Sequence, residues 1–207
     1  MNKPKEEILQ KVEAFVVDAM GVNDPAHDGD HIKRVVTLTR KLLTFYPQAN
    51  AFRTELLAWL HDMQDDKLAA QAETASLADC LQTIGAEKED IDFALSAIPY
   101  ISYRKHPKLP EGTPIEICIV QDADRLDAMG AIGIARTFAY GGAKGRPLGE
   151  SLAHFEEKLL LLYDLLSTPE AKALAKPRLT LLQEFYHQYK EETKKKIGHR
   201  WVANFAL

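Results

Sequence analysis

Three short stretches of this 207-residue chain carry residues able to hold a cation. His31 shares a helical spacing with Val35, Leu38 and Leu42; His61 and Asp62 directly follow Leu56, Leu57 and Leu60; and a third stretch carries Asp122 and Asp124. An unpaired charge on an apolar face is costly to bury, so a carboxylate there needs a metal, a cation or hydrogen bonds. Taken alone, each of these residues is satisfied as a hydrogen-bonded core histidine or a helix-end carboxylate. Two imidazoles and two carboxylates from three segments form a mixed nitrogen and oxygen set. Such a set suits one divalent cation (Mn, Mg, Ni, Co or Fe) with positions left for solvent. Structural zinc favours closed, Cys-rich sites, and neither Cys80 nor Cys118 adjoins the histidines. Helical period leaves the last carboxylate open, because Asp124 continues the face of Ile117 and Val120 while Asp122 continues that of Ile115 and Cys118.

One such cation can polarise a substrate oxygen and lower the pKa of a water toward ~7, which points to hydrolysis. Asp65 stands at i+4 from His61 and i+3 from Asp62. If the helix runs on, Asp65 faces the same way and is the candidate catalytic residue that orients or deprotonates that water. For the phosphate substrate that the family resemblance below implies, the candidate cations are Lys67, Arg34, Arg125, His27, His154 and Lys158. His154 and Lys158 are an i, i+4 pair able to reach one phosphate. The Lys194, Lys195, Lys196 run and the Lys144/Arg146 loop read as solvated charge. The glycines at 141, 142 and 145 lack P-loop spacing.

Helices must position these groups. Leu and Ala supply 26 residues each against 8 Val, a bias toward helix formers and an all-α fold. Single amphipathic faces are set out by Ile8, Val12, Phe15 and Val16; Phe52, Leu56, Leu57 and Leu60; Ile91, Ala94, Leu95 and Ile98; and Leu152, Phe155, Leu159 and Leu162. Pro25, Pro47, Pro107, Pro110 and the glycine-rich stretch 141–147 interrupt them. Thr113-Pro114-Ile115-Glu116 predicts a capping box opening a helix through Asp122 and Asp124. Thr168-Pro169-Glu170 predicts the start of the last long helix, which Pro177 should kink or split. No repeat, low-complexity tract or linker divides residues 1–207, so a single domain is expected.

The formal charge is −4, from 26 Lys+Arg against 30 Asp+Glu, which speaks against duplex nucleic acid as the main partner. Two cysteines in helical segments read as free thiols in a reducing compartment. Charges interrupt the first 20 residues, so no signal peptide is read there, and the most apolar uncharged run, 128–135, is far short of the roughly 20 residues of a membrane span. The expectation is a cytoplasmic chain that does not enter a membrane.

Four ordered blocks carry a family resemblance. Ala26-His27-Asp28-Gly29-Asp30-His31, His61-Asp62-Met63-Gln64-Asp65-Asp66-Lys67, Ile119-Val120-Gln121-Asp122-Ala123-Asp124-Arg125-Leu126 and His154-Phe155-Glu156-Glu157-Lys158-Leu159-Leu160 resemble the H…HD…D pattern of HD-domain metal-dependent phosphohydrolases. Within that superfamily they look like a subgroup of small, stand-alone bacterial HD hydrolases, over roughly residues 5–195. The resemblance implies an HD-type helical bundle in which His31, His61, Asp62 and Asp124 ligate one divalent cation. Asp124 is preferred because the family's ligand stands directly before a basic residue and a Leu, as in Asp124-Arg125-Leu126. Asp122 becomes an outer partner orienting a ligating histidine. Where some relatives carry another histidine, this chain reads Ala97-Ile98-Pro99-Tyr100-Ile101-Ser102-Tyr103, and His106 alone lies between the HD pair and the last Asp, so a mononuclear centre is implied. The implied activity is hydrolysis of a small nucleotide, a (deoxy)nucleoside triphosphate first. Alternatives are a nucleoside 5′-monophosphate phosphatase and a non-catalytic nucleotide-sensing scaffold. The partner is then a small nucleotide, and a homo-oligomer is compatible with it.

Overall fold

α1 (Lys3–Met20), α2 (Gly29–Leu43) and α3 (Ala51–Leu60) are followed by α4 (Leu77–Ile84), α5 (Lys88–Ile101), α6 (Ile115–Asp127), α7 (Gly130–Ala143) and α8 (Leu148–Glu157). A single 3-10 turn, Leu159–Leu161, then leads to α9 (Pro169–Thr193). This computed structural model describes residues 3–20, 29–63 and 76–193. Among them there is no strand, so the fold is all-α as expected, and no helix is long and apolar enough to cross a membrane. Cys80 and Cys118 are free thiols.

Two apolar clusters make the interior. α1, α3, α4 and α5 build the first around Val12, Leu56, Leu60, Leu81 and Ala94; α8 and α9 build the second around Phe155, Leu162, Ala175 and Leu182. α2 and α6 pack on each other and serve both. Ile32 and Val36 of α2 face the first cluster and Val35 and Leu42 the second, while α6 divides Ile117 and Val120 from Ile119, Ala123 and Leu126. These two helices are therefore clamped on both sides by close-packed side chains, and polar groups on their shared edge are held with little freedom.

Helix ends depart from the sequence expectations in instructive ways. α6 starts where expected, but no capping box forms: Thr113 Oγ1 donates to the Pro110 carbonyl at 2.7 Å, and the Glu116 carboxylate accepts from the Asn50 amide at 2.8 Å. Thr168 does cap α9, its hydroxyl accepting from the Ala171 amide at 3.3 Å. Pro177 leaves α9 continuous. Ala173, whose carbonyl loses its helical donor there, is exposed, so water can serve it. Leu159 and Leu162 lie beyond α8 and are carried instead by the 3-10 turn, still buried.

The corner between α6 and α7 depends on glycine. Gly130 has φ +72°, a left-handed conformation that costs glycine little, and a Cβ on Gly133 would stand 2.1 Å from the Ala128 carbonyl oxygen. This close approach folds α7 back so that Arg136 reaches Asp127, with Nη1 2.8 Å from Oδ2.

Candidate metal centre and its cleft

His31 lies on the α2 face toward α6, and His61 follows the last turn of α3; both are buried. The Nδ1–H of His61 donates to the Ala58 carbonyl at 2.8 Å, a local bond that turns its Nε2 away from its own helix. The Nδ1–H of His31 donates to Asp127 Oδ2 at 2.7 Å, so its Nε2 also presents a lone pair. The two Nε2 atoms are 3.4 Å apart, and Asp124 Oδ1 is 3.4 Å from one and 3.8 Å from the other. Donor atoms of His31, His61 and Asp62 lie within 4.8 Å of one another. Asp62 Oδ2 is buried with no hydrogen-bond partner among the described residues. Facing lone pairs beside an unpartnered buried carboxylate oxygen repel unless a cation sits between them, so the donor set fits one divalent ion.

The electrostatics agree. Burial by itself would lower the His31 pKa, but hydrogen bonds to Asp124 and Asp127 outweigh it and raise the value to about 9. Burial likewise opposes ionisation of Asp124. Its hydrogen bond with His31 and the charges of His61, His31 and Lys158 nevertheless hold it well below the usual carboxylate range. The arrangement favours positive charge between these groups, whether a proton or a metal.

This set forms part of one wall of a cleft of about 1300 Å³. Arg104, Lys105, Arg136, Arg146, His154 and Lys158 line it elsewhere. His154 and Lys158 meet in the cleft, although not as successive turns of one helix, since α8 ends at Glu157 and Lys158 leaves helical geometry at φ −141°. The Lys158 ammonium sits 5.1 Å above the Tyr103 ring, and the Arg146 guanidinium 5.2 Å above Tyr140. Burial lowers the Lys158 pKa against the pull of Asp124, and burial followed by Lys158 lowers that of His154. Arg104 and Lys105 belong to the connection after α5. It is gripped from α6, where Gln121 Nε2 donates to the carbonyls of Tyr100 (2.6 Å) and His106 (3.1 Å).

Several sequence expectations are corrected by this geometry. Arg125 is buried, and its guanidinium donates to the carbonyls of Pro107 (2.7 Å), His106 (3.3 Å) and Leu165, so it braces two walls and is not available to a phosphate. Arg34 points away from the cleft and bonds Asp127, its Nε 2.7 Å from Oδ1. Arg146, read as solvated charge, lines the cleft. Asp122 orients no histidine; it accepts from the amides of Ser167 (2.9 Å) and Thr168 (2.8 Å) and from the Thr168 hydroxyl (2.7 Å), fastening the start of α9. Asp127 takes the histidine instead. It was within reach of a helical argument, being i+3 from Asp124, whereas Arg136 is brought in by the glycine corner and carries no local signal. His27, Asp65 and Lys67 lie outside the described residues. α3 ends at Leu60 and a turn follows, with the Met63 amide donating to the Leu60 carbonyl at 2.9 Å, so the helical relation of Asp65 to His61 loses its basis.

A stability prediction follows for Asp122→Ala. It strands buried donors at the start of α9 and should cost about 2–4 kcal/mol, while Mn²⁺ affinity stays near wild type. Thermal melts paired with Mn²⁺ titration check it, and loss of Mn²⁺ without loss of stability would reverse the assignment.

The all-α fold, with the His31, His61-Asp62 and Asp124 groups gathered at the α2–α6 edge, is that of an HD-domain hydrolase, and the chain belongs to the HD superfamily. It is 36% identical over 197 residues to the uncharacterized protein YpgQ of Bacillus subtilis strain 168, covering 92% of this chain and 94% of YpgQ. The crystal structure of B. subtilis YpgQ in complex with ADP superposes with a TM-score of 0.72 at 32% identity, covering 90% of this chain and 98% of that one. An HD-superfamily hydrolase from Bacillus thuringiensis gives a TM-score of 0.70 at 38% identity, covering 91% and 97%. No family model matches the chain.

Proposed function

We propose that this chain is a divalent-metal-dependent phosphohydrolase that cleaves (deoxy)nucleoside triphosphates by attack of water on phosphorus. The observation that carries the reading is the joining, in one cleft, of the His31, His61, Asp62 and Asp124 donors with Arg104, Lys105, Arg136, Arg146 and Lys158. Arg136 is taken up by Asp127, and the other four cationic side chains still exceed the need of a single phosphate and suit a polyphosphate, while the volume admits a whole nucleotide. The ADP complex of YpgQ supports a nucleoside polyphosphate ligand by analogy.

His31, His61, Asp62 and Asp124 would hold the ion, which would supply Lewis acidity toward a phosphoryl oxygen and a bound water. The protein's share is positioning and charge. Lys158, close enough for its charge to act on Asp124, and His154 line the same cleft and would hold the phosphoryl oxygens, drawing negative charge away from the attacked phosphorus. Tyr103 and Tyr140, each beneath a cationic group, offer flat faces to a base or sugar.

A panel of ribo- and deoxynucleoside tri-, di- and monophosphates, assayed with Mn²⁺, Mg²⁺, Co²⁺ and Ni²⁺ and with product identification, tests this reading. Release of pyrophosphate, triphosphate or orthophosphate from triphosphates supports it and names the bond cut. Orthophosphate released solely from monophosphates would replace it with a phosphatase, and absence of turnover with every metal would leave a binding module.

A further inference from the structure

We propose that Asp127, braced by Arg34, is a positioning residue that keeps His31 in the tautomer and ring orientation with which it holds a metal. Asp127 is buried, 2% exposed, and its two oxygens have separate duties. Oδ2 accepts from His31 Nδ1 at 2.7 Å and from Arg136 Nη1 at 2.8 Å; Oδ1 accepts from Arg34 Nε at 2.7 Å, while Arg34 Nη2 reaches Oδ2 at 3.2 Å. With both oxygens tied by the planar fork of Arg34, the carboxylate cannot rotate, and the imidazole edge against it is fixed. Arg136 Nη1 stands 2.9 Å from His31 Nδ1 and 2.8 Å from Asp127 Oδ2; with its proton directed to the carboxylate, which is purely an acceptor, a neutral His31 carries its own proton on Nδ1 and the lone pair on Nε2, facing His61 and Asp124. Arg34 arrives from a second cleft of about 640 Å³ behind α6, which it lines with Lys33 and Arg178, and its side chain is 33% exposed. The support of His31 is therefore held from both sides, by Arg34 from the second cleft and by Arg136 from the first.

The inference rests on the metal centre proposed above but not on the substrate. Its test is binding of Mn²⁺ to metal-freed protein by calorimetry for wild type, Asp127→Asn, Arg34→Gln and Arg34→Lys. Asp127→Asn puts an NH₂ donor against Nδ1 and should weaken Mn²⁺ by about 10–100-fold, as removal of such a partner does. Arg34→Gln should give a smaller loss in the same direction, and Arg34→Lys should recover part of it. A structural role would not move the second readout, ¹⁵N–¹H spectra of histidine-labelled, Zn²⁺-loaded protein. There the wild type should show His31 protonated on Nδ1 with a strongly hydrogen-bonded, downfield proton that is lost or shifted in both Asp127→Asn and Arg34→Gln. Should Asp127→Asn fail to fold, the partly exposed Arg34→Gln decides alone. Unchanged Mn²⁺ affinity and an unchanged His31 signal, even with a lowered thermal midpoint, would overturn the proposal. Weakened Mn²⁺ binding in a protein that cleaves no nucleotide would uphold it while removing the triphosphate reading.

Discussion

His61→Ala and Asp62→Ala are each expected to leave the purified chain without bound transition metal and to lower nucleotide turnover by at least ~10³-fold. His61 provides one of two opposed Nε2 atoms, and Asp62 the buried oxygen with no other partner among the described residues, so neither can be replaced by a neighbour. The magnitude follows because a divalent ion contributes several kcal/mol of charge stabilisation at a phosphoryl group, and each 1.4 kcal/mol is a factor of ten. Elemental analysis alongside initial rates checks both parts. The matched control is His106→Ala, since that ring stacks on Tyr100 with centroids 4.5 Å apart, and it should retain about one ion per chain. Two ions per chain in the active protein, or unaltered metal content in His61→Ala, would refute the four-residue assignment.

Lys158→Ala should lower kcat by about 10²–10³, the usual consequence of removing one aligned donor from developing oxyanion charge, with Mn²⁺ still bound. Lys158→Arg should recover part of the rate. The pH profile gives an independent reading. Burial disfavours the charged lysine, and although Asp124 opposes this, the pKa ends below its ordinary 10.5. The ammonium charge is consequently lost at lower pH than in an exposed lysine, so kcat/KM should fall along an alkaline limb that Lys158→Arg abolishes. A Lys158→Ala enzyme within threefold of wild type would assign that ammonium to the Tyr103 face and not to phosphate.

The contrast between these residues and the corrected ones shows what local sequence encodes. Helical period found the faces of α1 and α5 because one side of each meets a packed interior; α2 is packed on two sides and α3 almost all round, so period found only part of what they bury. The H…HD…D pattern likewise brought His31, His61, Asp62 and Asp124 together because α2, α3 and α6 are mutual neighbours. Period could not say which of several polar groups on α6 looks toward which neighbour: Asp122, Asp124, Arg125 and Asp127 all lie within one and a half turns and end up on different partners. Arg34 and Arg125 look like phosphate cations by type and proximity in sequence. Their destinations, Asp127 and three carbonyls, are fixed by tertiary packing. Asp122 was drawn to the histidines by the same logic, yet its acceptor capacity is taken up by Ser167 and Thr168, 45 and 46 residues away. Arg136 became a cleft residue through a backbone corner that only glycine permits.

The connection bearing Tyr103, Arg104 and Lys105 is anchored by Gln121 and Arg125 through carbonyl oxygens, a group that every amino acid possesses. Anchors of that sort are indifferent to the side chains they hold in place. That wall of the cleft can change its side chains without loosening its grip, while α2, α3 and α6 keep His31, His61, Asp62 and Asp124 where they are. The side chains facing the cleft from that wall and the donor set opposite are thereby encoded on separate stretches of the sequence, free to diverge at different speeds.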